Sequence, residues 1–300
     1  MPAAAPTSGA SAAAERRSAL ILTAAALLFS VMALCAKAAS GHLPGPQVAW
    51  LRFLVGLLSI GVPLSLGRRL RPVNYGALLM RGLFGGLSVL MYFQAIAHLP
   101  VGIATLLNSS WPVFVALFSF LFLDEPLRFR QILALLLTSC GVLLVVLGSP
   151  SRAGPAAGVG AGALPLLWGF VGLGSAVFSA AAVTTIRSMR QQEGSWEIFL
   201  AFSLIGSLVT GVPSLMAWVP PTQSDLIWVT AMGVCSVMAQ MGMTYALRDV
   251  RAVTAGIILN LTPISTLLLG IVFFADRPTA LGWFGALVTL LGVTWGTLAR

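Results

Sequence analysis

Asn108, Trp111 and Pro112 lie in the middle of one long apolar stretch, and Asn260 and Pro263 lie in the middle of another. Spacings of three and four residues put Asn108, Trp111 and Pro112 on one helical face. A proline removes a backbone donor and frees a carbonyl about four residues earlier. In hydrocarbon, such a carbonyl is tolerated only against protein or cavity water. Each Asn–Pro pair therefore supplies a side-chain amide and a free carbonyl. These groups either bind a polar solute or bond a neighbouring helix. Other polar residues recur at helical spacing: Thr23, Ser30 and Lys37 by sevens, and Ser88/Tyr92, Ser175/Ser179 and Ser236/Gln240/Thr244 by fours. Tyr92, Trp111, Trp168 and Tyr245 add aromatic faces with polar tips. The candidate binding set is Ser30, Lys37, Tyr92, Asn108, Trp111, Pro112, Ser175, Ser179, Gln240, Asn260 and Pro263.

That set recognises; it does not make bonds. All eight acidic residues (Glu15, Asp124, Glu125, Glu193, Glu197, Asp225, Asp249 and Asp276) fall in tails, connections or stretch ends, and His42 and His98 fall in connections. No carboxylate or imidazole is placed mid-stretch to relay protons, hold sodium or balance a lipophilic cation. An intramembrane enzyme would need paired aspartates, a histidine constellation or a nucleophile with its base. Cys35, Cys140 and Cys235 have no paired spacing, so no metal, cofactor or disulfide framework is expected. Lys37, Arg52 and Arg81 are the charges inside apolar stretches. Each lies roughly 5–9 Å of helical rise from a stretch end, within reach of snorkelling. Snorkelling, or bonding to loop carbonyls, is the structural reading. The functional one is an electropositive vestibule for substrate carboxylates, with Lys37, on the Ser30 stripe, as its best member.

The elements that must position these groups follow from composition. Hydrophobic residues make up 58% of the 300-residue chain and charged residues 8%, against roughly 25% charged in ordinary globular domains. With a mean hydropathy of +0.96, this is an all-α polytopic membrane protein. Ten stretches approach the roughly 20 residues that cross a ~30 Å core: 19–40, 47–66, 75–97, 101–122, 130–148, 164–186, 197–218, 224–247, 252–274 and 280–298. Residues 1–18 read as a disordered cytoplasmic tail, and the Gly/Ala/Pro-rich segment 149–163 as an outer linker. With the N-terminus inside, inner segments carry twelve arginines (16, 17, 68, 69, 71, 128, 130, 187, 190, 248, 251 and 300), and outer ones only Arg152 and Arg277. That is a positive-inside pattern with both termini cytoplasmic. The net charge of +9 is thus a topology signal and a contact for anionic lipid, not a nucleic-acid surface.

The two halves repeat. Gly56/Gly206, Leu58/Leu208, Gly61-Val62-Pro63/Gly211-Val212-Pro213, Phe29-Ser30/Phe178-Ser179, Ala95/Ala246, Pro112/Pro263 and Gly141/Gly292 match at offsets of 149 to 152. Five spans per half is an odd number, so 19–148 and 164–300 must insert as inverted copies. Gly61, Pro63, Gly211 and Pro213 become candidate hinges. Gly82/Gly86 and Gly292/Gly296 are spaced for close helix approach. The polar residues look less symmetric, with Lys37 falling opposite Ile186 and Gln240 opposite Val89.

Arg81-Gly82, Ala95-Ile96, Leu99-Pro100, Ala104-Thr105, Pro112-Val113-Phe114, Leu123-Asp124-Glu125-Pro126 and Gly141-Val142 together resemble the half-unit of EamA-type permeases in the drug/metabolite transporter superfamily. A weaker second copy runs from Gly233 to Gly292, with Arg277 where the family often has an acidic residue. The resemblance implies a ten-helix permease of a bacterial cytoplasmic membrane, monomeric or homodimeric. Helices 1, 3, 4, 6, 8 and 9 would enclose a cavity for a small-molecule substrate. Related small multidrug pumps depend on a first-helix glutamate, which 19–40 lacks. An amino acid or similar metabolite is therefore the expected cargo, ahead of lipophilic cationic drugs. A passive channel is the rival of another class.

Overall fold

A computed structural model describes residues 8–98, 107–108, 110–123, 129–147, 163–274 and 279–298. Residues 149–162 of the expected linker, both acidic turns and Thr105 lie outside these residues, while Ala163 opens a helix. The described chain is helical: α1 Ser8–Ala39, α2 Gly45–Ser59, α3 Gly61–Ser65, α4 Tyr75–His98, α5 Trp111–Phe122, α6 Phe129–Leu147, α7 Ala163–Met189, α8 Ser195–Met216, α9 Gln223–Ala246, α10 Ala252–Leu259, α11 Leu261–Phe274 and α12 Ala280–Leu298. Among the described residues, seven helical segments are long and apolar enough to cross a bilayer, the first being Ala13–Ala39. The shorter apolar helices α5, α6 and α12 occupy stretches also predicted as spans.

Helix starts and breaks are legible in the chemistry. Asn74 caps α4 by accepting from the Ala77 amide at 3.0 Å. A reciprocal Thr222–Asp225 capping box opens α9. Both helices run for 24 residues. Matching their caps sets Ser236 opposite Ser88 and Gln240 opposite Tyr92, three residues from the Val89 that the Ala95/Ala246 anchor gives. α1 and α7 end at Ala39 and Met189, and the Phe29-Ser30/Phe178-Ser179 anchor within them keeps Lys37 opposite Ile186. α1 begins at Ser8, ahead of the expected start at Ala19. Ser18 is buried there and donates to Asp249 at 2.9 Å, so the helix continues through much of the segment read as a disordered tail.

Proline placement explains the interruptions. α2 stops at Ser59, four residues before Pro63, and α10 stops at Leu259, four residues before Pro263. The proline ring clashes with the carbonyl four residues earlier. Ser110 turns just ahead of Pro112, at the start of α5. Pro213, by contrast, lies inside an unbroken α8. Of the two candidate hinges, only Gly61–Pro63 coincides with a break; Gly211–Pro213 does not.

The inverted repeat appears as reciprocal contacts. A Cβ on Gly141 would run into Thr289, and one on Gly292 would reach 2.8 Å from Thr138. Residues 138 and 289 share the offset of Gly141 and Gly292. The α6–α12 seam is thus antiparallel and two-fold in character. The same holds for α2 and α8, where Gly56 faces Ser203 while Gly206 faces Phe53. Gly82 and Gly86 let α4 approach α8 at Ile205, Gly206 and Val209. Away from these seams the apolar surface is broad; Leu58 and Leu208 are 78% and 67% exposed. On a membrane protein this is the lipid face. The largest buried cluster, including Leu22, Leu78, Val115, Ile186, Met243 and Leu247, joins both repeats near the arginine-bearing connections.

Candidate functional site

The predicted polar residues form two groups around the interrupted helices. In the first, Asn108 Nδ2 donates to Ser175 Oγ at 3.0 Å, and Ser175 Oγ donates to the Gly172 carbonyl at 2.6 Å. Ser88 donates to the Ser175 carbonyl at 3.0 Å and shares a 2.6 Å bond with Ser179. Asn108 is therefore engaged in helix-to-helix bonding. In the second group, Ser30 donates to the carbonyls of Ala26 and Thr262 at 2.9 and 3.0 Å, tying α1 across the break in the ninth predicted span. At that break Asn260 is 2% exposed, and its Nδ2 has no hydrogen-bond partner among the described residues. Trp111 and Pro112 bear on α10 at Gly256, whose Cβ would lie 3.4 and 3.1 Å from them. The two interrupted helices meet there, with Pro263 partly buried.

A third group brings in residues assigned to snorkelling. Arg81 is 3% exposed, with its guanidinium carbon 4.0 Å from the Phe202 ring centroid. Arg52 lies 5.8 Å from the same centroid and donates from Nε to Ser236 Oγ at 2.6 Å. Gln240, one turn beyond Ser236, is buried with Nε2 unpartnered among the described residues. Both arginines turn into the protein, which corrects the snorkelling expectation. Lys37, expected to lead the basic set, is exposed. Tyr92 packs edge-on to Phe93 at 5.8 Å. The missed signal was Gly85, one turn after Arg81, where any Cβ would collide with Arg81 Nη1.

Each end carries a latch between connections. At one, Gln47 Nε2 donates to the Val219 carbonyl at 2.6 Å, and its Oε1 accepts from the Val219 amide at 2.9 Å. His42 lies 2.8 Å from Asp225. At the arginine-rich end, Glu193 accepts from the amides of Val73 and Asn74. Glu197, the repeat mate of Gln47, accepts from the Arg71 amide at 3.4 Å and lies 3.8 Å from Arg68. Arg190 donates to the carbonyls of Thr244 and Glu193, both at 2.9 Å. Burial first, then neighbouring Arg248, lowers its pKa from the ordinary arginine value. Glu193 and Glu197, expected only as acids of a connection and a stretch end, thus hold the opposite repeat.

A doubled helical unit with reciprocal seams suits a two-sided membrane permease. The profile of the EamA-like transporter family matches residues 16–147 and again 166–297. The chain belongs to that family. It is a multi-pass membrane transporter, not an enzyme. It is 30% identical over 277 residues to the pseudopaline exporter CntI of Pseudomonas aeruginosa, covering 91% of this chain and 93% of that one. It is 24% identical over 288 residues to mouse solute carrier family 35 member G1, covering 92% and 76%. A solved crystal structure shares the fold with a TM-score of 0.80 at 22% identity, over 95% of this chain and 97% of the other.

Proposed function

We propose that this EamA-like transporter carries a small organic metabolite, an amino acid or related compound, across a bacterial cytoplasmic membrane by alternating access. In this reading the chain has ten spans with both termini cytoplasmic, and functions as a monomer or homodimer. The observation that carries it is the pair of interrupted helices meeting at Pro112 and Gly256, flanked by antiparallel seams between the repeats. Broken helices expose backbone groups where a solute binds, and reciprocal seams let one half rock against the other. A latch at each end supplies the two gates. Similarity to a protein named as an exporter supports outward movement. Lipophilic cations are the weaker cargo, because the mid-protein charges are Arg52 and Arg81.

Counterflow of radiolabelled amino acids and metabolites into proteoliposomes tests the reading. Saturable exchange is expected; flux that never saturates would point to a channel. Asn260→Ala is expected to raise the half-saturating concentration about tenfold, as for loss of one hydrogen bond to a buried partner. Asn108→Ala is expected to act mainly on stability, since Asn108 already bonds Ser175. Transport unchanged in Asn260→Ala would remove Asn260 from the site.

A further inference from the structure

Arg81 poses a physical problem that the helical scaffold does not solve. It is 3% exposed, and its Nε and Nη1 lack hydrogen-bond partners among the described residues. Arg52 shares Phe202 with it, so two like charges occupy one aromatic neighbourhood. Neither arginine has a carboxylate partner among the described residues; Asp225 lies against His42 and Glu197 near Arg68, both close to helix ends. Stacking on a ring stabilises a cation weakly compared with the penalty for burying unpaired charge. Charged residues inside membrane segments face pathways or pair with partners. Gly85 clears space against Arg81 Nη1, so the guanidinium is accommodated rather than squeezed out. Ser236 accepts from Arg52, and one turn further along α9 Gln240 carries a buried Nε2 without a partner among the described residues.

We propose that Arg52 and Arg81 form an anion site that takes a carboxylate of the transported solute. Guanidinium donors match a carboxylate's two oxygens in a fork. A bound carboxylate would cancel the mutual repulsion and satisfy the open donors. Gln240 Nε2 supplies a further donor to the same ligand. The repeat does not duplicate this site: Phe202 stands at the position matching Arg52. The solute is thereby held toward the α2, α4, α8 and α9 side of the interrupted helices. Calling the anion a substrate rests on the transporter reading above; binding itself does not.

The test uses full-length protein in phosphatidylcholine nanodiscs, titrated with L-glutamate, succinate and citrate at constant ionic strength and read by thermal shift. The same carboxylates are assayed for counterflow in phosphatidylcholine vesicles. Stabilisation by at least one carboxylate is expected. Arg81→Gln and Arg52→Gln should each weaken it roughly 10–100-fold, and Arg81→Lys should weaken it less. Should Arg81→Gln fail to fold, Arg52→Gln and Arg81→Lys decide the matter. Equal binding by wild type and variants, or no binding, overturns the site. Inorganic phosphate stabilising as well as the carboxylates overturns the carboxylate assignment. Stabilisation that appears only with added phosphatidylglycerol assigns the arginines to lipid and overturns the proposal. Carboxylate binding without counterflow would leave the anion site standing and defeat the transporter reading. Counterflow that is insensitive to both arginines would do the reverse.

Discussion

Glu193→Ala is expected to unlatch the arginine-rich end and shift the conformational equilibrium at least a hundredfold toward opening there. The carboxylate is 2% exposed and accepts from two backbone amides of the connection between α3 and α4. Charge-assisted hydrogen bonds are each worth about 1.5–3 kcal/mol, and an abandoned buried donor is costly. Two such bonds exceed the roughly 3 kcal/mol that a hundredfold population shift requires. The measurement is labelling of Met243→Cys by a maleimide, with Cys35, Cys140 and Cys235 replaced by serine. Met243 is 7% exposed in the cluster that seals this end, so wild-type labelling should be slow. Glu193→Ala should accelerate labelling, while Glu193→Gln, which retains an acceptor, should accelerate it less. Unchanged labelling in both would make the latch a fixed staple rather than a gate. Transport should fall with Glu193→Ala, because a carrier biased to one side completes its cycle slowly.

The contrast with Gln47 sharpens this expectation. Gln47 and Glu197 occupy the third position of α2 and α8, and each clasps a connection of the opposite repeat. The neutral amide clasps through two neutral hydrogen bonds, whereas the arginine-rich end uses carboxylates beside arginines. The two gates therefore have the same geometry and different strengths.

Much of this was legible in the chain because membrane folding obeys a few strong constraints. Apolar length and proline position predicted an all-helical membrane chain and two of the interruptions, since hydrocarbon punishes any unpaired backbone group. Pro63 and Pro263 broke their helices four residues upstream, as the ring geometry requires. Pro213 did not, although its local triplet is identical to that around Pro63. Tertiary packing overrides a local signal here: Gly211, two residues earlier, is buried against Trp50. Register was harder. The capping residues and the Ala95/Ala246 anchor place Gln240 three residues apart on the partner helix, opposite Tyr92 or Val89. Side-chain direction was hardest. Arg52 and Arg81 lie close enough to helix ends to reach water, and linear position does not say which way a long side chain turns. Gly85 carried that information, but only once the Phe202 ring was known to lie beside it.

The strongest test of the repeat itself is Gly141→Leu, which is expected to disassemble the α6–α12 seam. A Cβ at Gly141 would lie 2.5 Å from the Thr289 amide nitrogen and 2.8 Å from the Gly285 carbonyl, and would also strike Thr289 Oγ1. Backbone atoms cannot step aside as a flexible side chain can, so the helices must separate. Overpacking that moves backbone costs about 1–3 kcal/mol, occasionally more, and a leucine adds three carbons beyond the colliding one. Helix association in a bilayer depends on close packing without a hydrophobic drive, so little offsets that cost. A fall in Tm of several degrees, with loss of monodispersity on size exclusion, is expected. Because the seam is reciprocal, Gly292→Leu meets the mirror obstacle: the Thr138 amide nitrogen at 2.8 Å and Leu137 Cβ at 3.1 Å. The two variants should therefore fail alike, with Gly292→Leu slightly milder. The double variant should cost less than the sum of the two, since separating the helices once relieves both collisions. A strictly additive double variant would mean the two glycines act at independent contacts, and the two-fold seam would have to be abandoned.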